Sequence, residues 1–145
     1  MTDGLSFTYF ADDDGEDFGR LQVEVRHAGF SGFADCYFAR TDLVRFGEQL
    51  GAYPLPEVSP RLIGGYGQLE IDEISISLRA TQISPLGQVG IEVRLREPYG
   101  EGPQAREVWL TMPTTYARLD DFHREWLAVL NADSSEIVVL GAERM

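Results

Sequence analysis

The chain has 145 residues, with 24 acidic against 12 basic side chains and a formal net charge of −12. Every basic side chain is arginine, which excludes a P-loop lysine and a Schiff-base lysine. A phosphate backbone is repelled by this charge, so direct nucleic-acid binding is not expected, whereas basic partners are attracted and steered.

The length suits one domain, read here as residues 1–131 with a C-terminal tail over 132–145. A chain this long buries about 70% of its unfolded surface and needs neither disulfide nor metal to fold. The one cysteine, Cys36, cannot form an internal disulfide, which is compatible with a reducing compartment. The start lacks a basic region followed by an apolar run, and no stretch reaches the roughly 20 apolar residues of a membrane helix. The expected address is the cytoplasm.

Leu5 to Ala11 alternates weakly and suggests a first, edge strand. An acidic turn over 12–17 follows. Leu21, Val23 and Val25 then alternate with Gln22, Glu24 and Arg26, the period of a half-buried strand. After a turn expected over Gly29 to Gly32, Ala34, Cys36 and Phe38 form one strand face and Phe33, Asp35 and Tyr37 the other. Thr41 is the expected N-cap of a helix with Asp42 in its first turn. Leu43, Phe46, Gly47 and Leu50 give that helix one apolar stripe, and Gly51 and Pro54 stop it.

A connection runs from Tyr53 to Gly67. Strand alternation resumes at Leu69 and Ile71, then slips to Ile74, Ile76, Leu78 and Ala80, which predicts a β-bulge near Asp72 and Glu73. Val89, Ile91, Val93 and Leu95 follow a turn over 84–87. Val108, Leu110 and Met112 follow another over 98–103. Thr114 or Thr115 caps a second helix whose apolar face is Leu119, Phe122, Trp126, Leu127 and Leu130. Ile137 to Leu140 suggests either a short added strand in the tail or a segment that docks loosely. The order β-β-β-α-β-β-β-α predicts an α+β fold: an antiparallel sheet of about six strands with both helices on one face.

No catalytic or cofactor-binding residue is assigned. Gly29-Phe-Ser-Gly32 has Phe33 where a nucleophile elbow needs glycine, and a strand follows where a helix should. Ser31 therefore reads as a turn serine. Cys36 shares a face with Ala34 and Phe38, so burial should keep its thiol protonated and inert. His27 and His123 lack the companions of a zinc site, and Asp120 with His123 reads as a helix-surface pair. Aligned on Gly15 as an EF-hand, the acidic run puts Phe10 and Leu21 at the first and twelfth ligand positions, so no metal site is expected. Gly64-Gly-Tyr-Gly67 precedes a strand and offers no helix N-terminus to a phosphate.

What remains is a surface. Strand parity puts Phe33, Tyr37 and Trp109 on the face away from the helices, among Glu24, Arg26, Asp35, Glu73, Arg79, Glu92, Arg94, Arg96 and Glu107. Exposed aromatics with arginine are the composition of interaction hot spots, although cross-strand pairing within any antiparallel sheet uses the same residues. The expected partner-binding set is Phe33, Asp35, Tyr37, Glu92, Arg94, Glu107 and Trp109.

The run from Leu21 to Arg26, the string from Gly29 to Phe46 and the capped closing helix from Thr115 together resemble WapI-like bacterial immunity proteins. In that family a strand and a GF.G.F string lead to a T.DL..F...L helix. The resemblance extends over Leu69 to Ile71 and Gln88 to Arg96 and spans roughly residues 20–131. It implies a binder that neutralises the toxin domain of a secreted protein, and no catalytic residue transfers with it. The expected function is thus protein binding without catalysis or cofactor, the partner being a basic toxin domain. Two alternatives stay open: a small-molecule-binding protein or small enzyme with a pocket near 53–67, and a homodimer with a structural role.

Overall fold

The computed structural model describes residues 3–12, 17–65, 74–97, 106–132 and 135–143. In chain order these form β1 (Gly4–Ala11), β2 (Phe18–His27), β3 (Phe30–Ala39), α1 (Arg40–Leu50), β4 (Arg61–Gly65), β5 (Ile74–Gln82), β6 (Gln88–Arg96), β7 (Glu107–Thr115), α2 (Tyr116–Asn131) and β8 (Val138–Gly141). The fold is α+β and antiparallel with two helices, as the alternation implies. Its described strands number eight and divide into two four-stranded sheets, ordered β3-β2-β1-β8 and β4-β5-β6-β7.

The division has a local cause. Helix α1 lies between the two β-meanders and carries the chain off the first sheet before β4 begins. The β2–β3 hairpin turns on Ala28 and Gly29, with φ of 52° and 87°, the primed geometry that matches strand twist. Strand β3 thus starts at Phe30, earlier than a turn over 29–32 allows. The tail supplies β8, which pairs with β1, so β1 is an interior strand and not an edge.

One apolar core fills the space between the sheets. Leu5, Phe7, Leu21, Val23, Val25 and Cys36 point into it from the first sheet, and Ile76, Leu78, Ile91, Val93 and Leu95 from the second. Strand β3 crosses the second sheet from edge to edge, touching all four of its strands. A Cβ on Gly64 of β4 would lie 2.6 Å from Phe38 Cε1 and 2.9 Å from Cys36 Sγ. At the other end of β3, a Cβ on Gly32 would overlap the Val108 side chain of β7. Such transverse packing leaves the first sheet's inner face shared between the second sheet and the helices.

Helix α2 takes the β1 side. The Phe7 ring lies 4.9 Å from Phe122 and 5.5 Å from Trp126, and Trp126 Nε1 donates to the Leu43 carbonyl of α1 at 3.4 Å. The predicted stripe of Leu43, Phe46, Gly47 and Leu50 is buried. On α2 the buried set is Leu119, Phe122, Trp126, Val129 and Leu130, with Val129 in the place expected for Leu127. Thr115 caps α2, its side chain accepting from Arg118 N at 3.2 Å. Thr41 caps nothing: the N-cap is Ala39, two residues earlier, and it makes no side-chain cap. Instead, Arg40 donates to the Leu130 carbonyl and ties the start of α1 to the end of α2.

The sheets also meet where the chain ends. Glu143 N donates to Pro113 O at 2.7 Å, and Thr114 Oγ1 to Gly141 O at 2.8 Å. The bulge expected near Asp72 and Glu73, and strand positions Leu69 and Ile71, lie outside the described residues; a register shift is present between Gly64 and Gly65 of β4. Among the described residues, no helix is long and apolar enough to cross a membrane.

Candidate functional site

Parity correctly puts the predicted aromatics outside: Phe33 is 52% exposed, Tyr37 53% and Trp109 68%. It cannot tell that they belong to two sheets. Phe33, Asp35 and Tyr37 lie on the outer face of the first sheet, on its edge strand β3. Glu92 and Arg94 lie on β6, and Glu107 and Trp109 on the edge strand β7, of the second. The single open face is therefore two faces, and Glu73 lies outside the described residues.

A groove of about 410 Å³ brings part of the set back together. One wall is β3 from Ser31 to Asp35, and the other holds Leu95, Glu97, Arg106, Glu107 and Val108. Gly32 and Val108, where β3 and β7 touch, are themselves part of the groove's lining. Phe33, Asp35 and Glu107 line it; Tyr37, Glu92, Arg94 and Trp109 do not. Glu97, Arg106 and the exposed Phe30 were not singled out by sequence reading. No periodicity marks Glu97 and Arg106, because their proximity to Phe33 comes from how one sheet lies across the other.

Most charges here have partners. Arg94 lies opposite Trp109 with its guanidinium carbon 5.1 Å from the ring centroid, a cation–π contact. Its Nε also donates to Glu107, and Arg96 reaches the other Glu107 oxygen at 3.1 Å. The Arg94 hydrogen bond holds the Glu107 carboxyl below its ordinary range, with both arginine charges assisting. Glu97 is likewise held low by the Arg106 backbone N–H at 2.9 Å and its guanidinium at 2.8 Å. Arg20 meets Asp35 at 3.5 Å, and Arg79 meets Glu92 at 3.5 Å. Arg96, expected on the open surface, is only 7% exposed and pairs with Glu107.

The remaining candidates lose their chemistry in this setting. Cys36 is fully buried, and desolvation pushes its thiol up to about 12, with the Asp35 charge adding to the effect. Ser31 is an exposed residue of β3 at the groove wall. Asp120 pairs with Arg124 at 3.2 Å, while His123 lies under Gly51. Among the described residues, no three His, Cys, Asp or Glu side chains are grouped to hold a metal ion. Beside the 53–67 connection, a cavity of about 160 Å³ is lined by Phe38, Arg45, Phe46, Arg61 and neighbours. A shallow depression of about 400 Å³ lies along α1 near Arg40 and Glu48.

No family model, no curated protein and no solved structure matches this chain.

Proposed function

We propose that this domain binds another protein and performs no chemistry of its own, and that its partner is a basic toxin domain whose substrate groove it occludes. The observation that supports the reading is the company kept by the exposed aromatics. Phe33, Tyr37 and Trp109 each leave half or more of their surface in water beside Asp35, Glu107 and their arginines. Large aromatics with arginine are the side chains that carry binding energy at interfaces. A net charge of −12 adds long-range attraction for a cationic partner. An immunity role is the form of this reading that the family resemblance implies, acting in the cytoplasm.

Small-molecule binding is a second reading, favoured by the groove volume of about 410 Å³, which falls in the range of ligand sites. The two readings separate in one experiment. The purified domain and its Tyr37→Ala/Trp109→Ala variant are used to capture proteins from the native lysate, with quantitative mass spectrometry. Enrichment of a basic toxin-like protein, reduced at least tenfold by the double substitution, supports the protein-binding reading. Failure to enrich any protein under conditions that recover a known complex overturns it. Association with the captured partner should slow steeply as salt rises; a salt-independent rate refutes the electrostatic component.

A further inference from the structure

The hydrogen-bond register of β3 shows what its open edge offers. The two-residue turn closes on His27 and Phe30, and antiparallel pairing continues without a bulge to Phe18 and Ala39. In a two-residue hairpin the closing pair exchanges both backbone hydrogen bonds, and every second pair beyond it does the same. Arg40 N donating to Asp17 O keeps the same parity at the far end. Phe30, Gly32, Ala34, Cys36 and Phe38 therefore bond to β2. The backbone N–H and C=O groups of Ser31, Phe33 and Tyr37 turn away from the sheet, and Asp35 shares their direction.

Among the described residues, no strand or helix pairs with the outer edge of β3. Lysine, proline and a bulge, the common devices that blunt an edge strand, are absent from Phe30–Ala39. The other edges are less open. On β7, Pro113 has no N–H and its carbonyl is taken by Glu143. Strand β8 has four residues, and β4 has five with a register shift at Gly64 and Gly65. The groove of about 410 Å³ runs beside β3 from Ser31 to Asp35, with both strand faces contributing to its wall.

We infer that the β3 edge accepts an extended segment of the partner as an added strand of the first sheet, with a cationic side chain beside Asp35 and apolar side chains turned into the groove toward Leu95 and Val108. The inference rests on the protein-binding reading and specifies how the partner docks. In strand addition, backbone hydrogen bonds provide affinity and alternate side-chain positions provide selectivity. Ser31 to Tyr37 spans roughly 20 Å, enough for a segment of about seven residues. Charge selects a cationic segment. Asp35, Glu97 and Glu107 line the groove, each paired with an arginine, and the net charge of −12 supplies the long-range attraction for a cationic partner. Antiparallel self-pairing centred on Asp35 would set two like charges opposite each other, and any self-pairing brings together two chains of charge −12.

The test uses an acetylated eight-residue peptide of alternating valine and arginine and the full chain labelled for NMR. Two control peptides carry N-methyl groups on alternate backbone nitrogens or glutamate in place of arginine. Binding is expected to slow amide hydrogen exchange at Ser31, Phe33 and Tyr37, while Gly32, Ala34 and Cys36 are already slow. Both controls should bind at least tenfold more weakly. Phe33→Pro removes an outward N–H without breaking a bond to β2, and should lose binding beyond Phe33→Ala, which removes only the ring. Unchanged exchange at the three outward amides, or equal affinity of the N-methylated peptide, overturns strand addition. Absence of peptide binding overturns it too, whereas the protein-binding reading stands or falls on the partner capture.

Discussion

Gly32 of β3 and Val108 of β7 hold the two sheets in contact, and the contact depends on the missing side chain: a Cβ at residue 32 would lie 2.9 Å from Val108 Cβ and closer still to its Cγ1. Both sheets converge there beside the groove. Gly32→Ala is expected to destabilise the protein by about 1–3 kcal/mol, the usual cost of overpacking a filled site. Val108→Ala in the same chain should recover most of the loss. Urea midpoints at constant m-value measure both effects, and additivity of the two substitutions rules the contact out.

Glu107 makes stability depend on pH. Its carboxyl is held below the ordinary 4.5, so the folded state favours the ionised form. That contribution is fully present above the unfolded value and is lost as pH falls through the lower, folded one. Glu107→Gln should therefore cost stability at pH 7, on the order of 1 kcal/mol for a charge-assisted pair of hydrogen bonds. The difference from wild type should shrink as pH drops below 4.5. Chemical denaturation at pH 7 and pH 3 decides it; a constant difference sinks the assignment.

The aromatic cluster joining β1 to α2 should be the largest single contributor to stability. Trp126 is 1% exposed and stacks near Phe122 with ring centroids 6.0 Å apart. Trp126→Ala should cost about 3–5 kcal/mol, and Trp126→Phe less, although it leaves the Leu43 carbonyl without the indole donor. If Trp126→Ala shifts the thermal midpoint no more than a surface substitution does, the packing described for α2 is wrong.

Cys36 should resist thiol reagents in the native state. With its thiol pushed up to about 12 and no exposed surface, modification at pH 8 requires prior opening of the fold. The rate should track unfolding, rising with urea, and not the thiolate fraction of a free cysteine. Stoichiometric labelling of native protein within seconds contradicts the burial.

On the outer face, Trp109→Ala should change stability by about 0.5–1 kcal/mol or less, the magnitude of an exposed cation–π pair with Arg94. A larger loss would assign Trp109 to the core and remove it from the binding surface.

Much of this molecule was legible from residue order alone. Period-two alternation identified β2, β3, β5, β6 and β7 and told buried Val23, Cys36 and Val93 from exposed Tyr37 and Trp109, because a strand's side chains must alternate between water and core. Helical spacing found the stripe of α1, and the threonines ahead of α2 marked its cap. These are local rules, satisfied within a few residues. The caps were less secure, as Thr41 shows: a helix start held by tertiary contacts, here Arg40 on Leu130, does not need a side-chain cap.

The partition of eight described strands into two sheets was decided only in three dimensions: β4 (Arg61–Gly65) lies inside the stretch from Tyr53 to Gly67 that reads as a connection, and nothing in the sequence says that it pairs with β5 rather than β3. The same holds for β1, edge by its position in the chain but interior once β8 returns from the far end. It holds above all for the groove. Phe33 and Glu107 are far apart in sequence, and they face one space because Gly32 and Gly64 let β3 lie flat across the second sheet. Composition and parity determined which side chains meet water; the crossing of the sheets, a packing outcome set by two missing side chains, determined which of them meet each other.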